Sequence, residues 1–90
     1  MKLTYRNIQD IRLMFEDMLR RNTLVDRMKK IEMRSRIRCE LNRISMLINP
    51  TSDNIFRRLE DKLGDLFSLF PFWFRDDFKK LLSQIIETRR

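Results

Sequence analysis

An all-α fold, four helices packed antiparallel into one bundle-like domain, is predicted by three observations. Apolar residues recur at three- and four-residue spacing nearly end to end. The periodicity breaks only near Asn22-Thr23, at Asn49-Pro50 and at Pro71. No alternating stretch competes as a strand. The 90 residues suffice for one domain, which at this size buries only about 60% of its unfolded surface. Pairing with a second copy is the expected remedy, so a homodimer is anticipated.

The first helix is expected over about residues 5–21. Thr4 caps it, and Ile8, Ile11, Phe15 and Met18 repeat along one face. Thr23 and Asp26 have the spacing of a capping box with the shorter acid. They open a second helix, about residues 24–48, which Asn49-Pro50 stops because the residue before proline is driven from the α region. At about 100° per residue, Leu24, Met28, Ile31, Cys39 and Met46 share one side of it. Ile37, Leu41, Ile44 and Ile48 fall nearly opposite. Three arrangements accommodate this: a bend near Met33–Arg36, a small core wrapped round two sides, or a straight helix with a partner chain on one side. In the last case Ile37, Leu41 and Ile44 form the seam. Cys39, on an apolar side, is expected to be an inert core thiol.

Thr51-Ser52-Asp53 opens a third helix, about residues 53–69, with Phe56, Leu59, Leu63, Leu66 and Phe70 on one face. Gly64 either sits inside it at a cost of about 1 kcal/mol or ends it, with Asp65 capping a last turn. Beyond Pro71 a fourth helix covers about residues 72–88. Its apolar face is Phe74, Phe78, Leu81, Leu82, Ile85 and Ile86, and Asp76 and Asp77 lie near its positive end. Every connection is short, so neighbouring helices are expected to pack antiparallel or at a sharp bend.

Composition narrows the chemistry. There is no histidine and one cysteine, so a Cys/His zinc site and every Ser-His or Cys-His nucleophile pair are excluded. Carboxylates and lysines remain as proton carriers, yet nothing groups them, so the chain is expected not to be an enzyme and to need no cofactor. No apolar run approaches the roughly 18–20 residues of a membrane span, and the start lacks a signal-peptide core. The expectation is a soluble protein of a reducing compartment, cytoplasm or nucleus. Alanine is absent, and arginine outnumbers lysine 14 to 6. That balance suits a compact viral or phage genome, hence an accessory factor acting in a host cell.

The arginine preference matters because the guanidinium fork grips phosphate or carboxylate with two bonds. Of the formal net charge of +7, residues 27–43 supply most, with seven basic and two acidic groups. Arg27, Lys30, Arg34 and Arg38 fall within roughly an 80° arc of the second helix, over about 16 Å. Arg36 and Arg43 flank another side. A duplex presents one charge per roughly 1.7 Å of axis, so this stripe is expected to bind double-stranded RNA or DNA. Few side chains there read base edges, which points to backbone and shape recognition. Too few heptads follow for a basic leucine zipper.

Leu66–Phe74 is the second feature: eight of nine positions are apolar, proline included, and five are aromatic. Most should fill the hinge between the last two helices. Phe70, Phe72 and Trp73 are expected at an interface, because exposed apolar surface marks contact sites. The alternative function is therefore a module that binds and inhibits a host protein, acidic in character, through this patch and the basic helix.

Overall fold

Thr4 begins the first element by a reciprocal cap. Its Oγ1 accepts from the Asn7 N–H, and Asn7 Oδ1 accepts from the Thr4 N–H, each at 3.1 Å. From there, in a computed structural model that describes residues 3–87, α1 runs over Tyr5–Arg21. It is followed by α2 (Arg27–Ser45), α3 (Ser52–Leu69) and α4 (Trp73–Glu87). The four helices and the all-α class agree with the sequence. Thr88, the expected last residue of α4, lies outside the described residues.

Sequence reasoning misplaced both ends of α2. Asn22 Oδ1 accepts from the Leu24 N–H at 2.8 Å, so residues 22–24 are used in an Asx turn. Asp26, rather than Thr23, is the N-cap, its Oδ1 accepting from the Lys29 N–H at 2.8 Å. An ionised cap also meets the positive helix end, which a threonine cannot do. At the far end Met46 is the C-cap, and Asn49 takes a left-handed φ of 52° before Pro50. Met46 and Ile48 therefore lie beyond the last turn. Asn22 also donates from Nδ2 to the Leu69 carbonyl at 3.2 Å, fastening the α1–α2 turn to the end of α3.

Helices adjacent in sequence pack together and α1 also meets α4, while α1 and α3, diagonal to each other, touch through the Phe15 and Phe67 rings at the centre. This is the up-down-up-down bundle arrangement that short connections favour. The interior is dominated by Phe15, Phe67, Phe70, Phe74 and Phe78, with ring centroids 4.8 to 6.2 Å apart. Edge-on and tilted geometries prevail, as ring quadrupoles prefer. Ile11 and Leu19 from α1, Ile55, Leu59 and Leu63 from α3, and Leu82 from α4 complete it. Phe70, expected at an interface, is part of this core. It follows the last turn of α3 and turns inward against Phe74, at 4.8 Å.

Gly64 stays within α3, but the helix kinks beside it, Leu63 adopting φ −122° and ψ 26°. Arg36 of α2 meets α3 beside this kink, donating from Nη2 to the Lys62 carbonyl at 3.1 Å.

α2 is unbroken and packs on one face only. Met33, Ile37, Leu41 and Ile44 are buried with Glu40. Ile37, Leu41 and Ile44, expected as a seam with a partner chain, thus belong to the chain's own core. The opposite set stays outside: Leu24 is 92% exposed, Met28 78% and Met46 72%, with Ile31 and Cys39 also exposed. Cys39 is a surface thiol, contrary to expectation. The core does not wrap α2 on two sides.

Candidate interaction face on the second helix

α2 lies with one face in the core and its opposite face in solvent. Residues 28, 31, 35, 39, 42 and 46 recur at three- or four-residue steps, so Met28, Ile31, Ser35, Cys39, Asn42 and Met46 form one outward stripe. It extends for about 27 Å at 1.5 Å per residue. Its apolar members are methionine, isoleucine and cysteine, and the middle of the stripe is small or polar.

Cations border the stripe on both sides, and the borders differ in kind. On the α3 side stand Arg36 and Arg43, both held by carboxylates of this chain. Arg36 makes a two-pronged bond to Asp65, at 2.5 Å to Oδ2 and 2.9 Å to Oδ1. The hydrogen bond from Arg36 holds the Asp65 carboxyl below its usual range, burial opposing and the guanidinium charge assisting. The same bond raises the Arg36 guanidinium. Arg43 meets Glu40 Oε1 at 2.6 Å. These two arginines were expected in a nucleic-acid-binding set, and the structure uses both internally.

On the α1 side stand Arg27, Arg34 and Arg38, with Lys30 folded toward the α1 terminus. Lys30 Nζ donates to the Arg20 carbonyl at 3.3 Å. Arg38 lies 3.8 Å from Glu16, beyond good hydrogen-bond range. Arg27 and Arg34 have no carboxylate within salt-bridge distance among the described residues. Arg20 of α1, which sequence reasoning overlooked, lines the same cleft as Arg34 and Arg38, together with Leu13, Glu16 and Asp17. Asp17 is held by Arg20 at 2.6 Å and Arg21 at 3.2 Å. The four cations expected on one arc are therefore together along this edge, and three of them, Arg27, Lys30 and Arg34, have no carboxylate of the described residues within salt-bridge distance.

At the end of the bundle where the α1–α2 and α3–α4 turns meet, Leu24, Leu69, Pro71 and Trp73 line a groove. Phe72 beside it is 90% exposed and Trp73 44%. These two aromatics are at the surface as expected. The groove lies beside the turn that precedes α2, through Leu24.

Among the described residues no cluster of three or more His, Cys, Asp or Glu is disposed to hold a metal ion. No helix among them is long and apolar enough to cross a membrane. Comparison with protein-family models, curated proteins and solved structures finds no match to this chain.

Proposed function

We propose that the protein is a binding module whose working surface is the outer face of α2, and that it acts by docking a protein partner there. One observation carries this reading. The apolar side chains of Met28, Ile31 and Met46 face solvent on the side of α2 opposite the core, with arginines along the borders. Exposed apolar surface with a polar rim is the usual mark of an interface. Methionines suit the role, since their unbranched chains adapt to a partner's contour. The test is capture of a partner by the tagged chain after nuclease treatment. Met28→Glu with Ile31→Glu abolishes capture while leaving the melting temperature unchanged. Capture that survives this double change removes the proposal.

A second reading, nucleic-acid duplex binding, is favoured by the uncompensated Arg27 and Arg34 on the edge shared with Lys30 and Arg38. Such an edge meets phosphates and reads no bases. Affinity then falls steeply with salt, and the slope loses about one for each phosphate contact removed. Arg27→Ala with Arg34→Ala weakens the mobility shift of a duplex of about 20 base pairs, whereas the uncharged change Ile31→Ser does not. No shift at low salt removes this reading.

A further inference from the structure

We infer that the outer face of α2 takes an amphipathic helix carrying carboxylates along one flank only. This rests on the proposed docking role of that face and adds the chemistry and shape of the partner.

The shape comes from a hollow in the middle of the stripe, lined by Ile31, Arg34, Ser35, Arg38, Cys39 and Asn42. These six are two overlapping sets of four, 31/34/35/38 and 35/38/39/42, which share Ser35 and Arg38. Each set has the i, i+3, i+4, i+7 pattern that forms a hole for one side chain of a facing helix. The small Ser35 and Cys39 leave the holes open, and the larger Met28 and Met46 stand at either end. Successive apolar residues of a helix fill holes of this spacing. A phosphate backbone has no apolar knob to insert, and a lipid surface has no periodic one.

The charge comes from the two borders. The α3-side border is already satisfied, since Asp65 holds Arg36 and Glu40 holds Arg43. On the α1 side Arg27 and Arg34 have no carboxylate within salt-bridge distance among the described residues, and Arg38 is paired with Glu16 at 3.8 Å. Guanidinium groups at the rim of an apolar contact attract carboxylates and repel cations. The complementary partner is thus acidic on the flank toward α1, with carboxylates matching steps of seven and four residues. A second copy of this chain is the poorer occupant at physiological salt, because it would bring another segment with seven basic and two acidic groups against the first.

The probe is a synthetic helical peptide of about 20 residues, enough to span the stripe, with leucines at three- and four-residue steps and glutamates on one flank. Its twin has lysines in place of the glutamates. Fluorescence anisotropy with the full-length protein is expected to show one-to-one binding of the acidic peptide. The lysine twin should bind at least tenfold more weakly. Ile31→Glu weakens the acidic peptide at least tenfold. Arg34→Ala with Arg38→Ala erases the difference between the peptides. Met28→Glu gives an independent check of the face, and unchanged thermal melts show that the variants fold. Equal binding of both peptides, binding of neither, or displacement of the acidic peptide by phosphatidylserine vesicles or a nucleic-acid duplex overturns the inference. If neither peptide binds while nuclease-resistant capture still depends on Ile31, the docking face stands and only the acidic helix falls. If capture is lost as well, both fall.

Discussion

Arg36 joins α2 to α3 through Asp65, 29 residues on in sequence, and it does so beside the place where α3 departs from helical geometry. Its guanidinium donates to the Lys62 carbonyl and holds Asp65 just past the kink. Both side chains remain more than a third exposed, so the pair belongs near the upper end of the about 0.2–1 kcal/mol typical of exposed pairs. Asp65 titrates below its unfolded value. Its contribution is therefore complete above the ordinary carboxylate pKa of about 4 and disappears as pH falls through the folded value. Asp65→Asn is expected to lower the melting temperature at neutral pH, with a deficit that shrinks by about pH 3. A deficit constant across that range would show that the charge contributes nothing. Glu40 presents the opposite balance. Its side chain is 9% exposed, Arg43 satisfies one oxygen, and Oε2 has no hydrogen-bond partner among the described residues. Arg43 is itself 59% exposed and loses little if released. Glu40→Met removes a half-satisfied buried carboxylate and is expected to stabilise the fold by about 1 kcal/mol. A lower melting temperature would show that the ion pair outweighs its desolvation.

The kinked helix supplies a prediction that depends on backbone alone. A methyl group added at Gly64 meets nothing within 4 Å, and no glycine among the described residues has a positive φ. Gly64→Ala should therefore gain most of the helix-propensity difference, about 1 kcal/mol. In a domain of this size that raises the melting temperature by about 4–8 °C. A decrease would mean that the kink needs glycine's backbone freedom. The faces of α1, α3 and α4 were legible in the sequence because each has a single apolar stripe, so periodicity and burial coincide at Phe15, Leu59 and Phe78. α2 was not. It carries two stripes of similar size on opposite sides, and periodicity cannot say which one packs. Side-chain chemistry held a clue: the buried stripe is Ile37, Leu41 and Ile44, whereas the exposed one relies on methionine, cysteine, serine and asparagine. The arginine stripe was legible as an arc, but its compensation was not. Asp65 and Glu16 reach α2 only through tertiary packing, which no local spacing reveals.

At the scale of the whole molecule, shape and charge give opposite instructions about a second copy. The α2 stripe has the periodicity of a helix-pairing seam, and a small domain gains buried surface by pairing. Against this stands the formal net charge of +7, concentrated on the same helix. Salt separates the two terms. The screening length is about 10 Å at 0.1 M salt and about 3 Å at 1 M, whereas apolar contact does not weaken with salt. Light scattering at fixed protein concentration is thus expected to give a monomer's mass at low ionic strength and a rising mass toward 1 M. Ile31→Lys should keep the chain monomeric throughout, because it removes apolar contact from the centre of the seam and adds charge. A stable dimer already present at low salt and lost with Ile31→Lys would show that the stripe outcompetes its arginines. The outer face of α2 would then be occupied by the chain's own twin, leaving no place for an acidic helix.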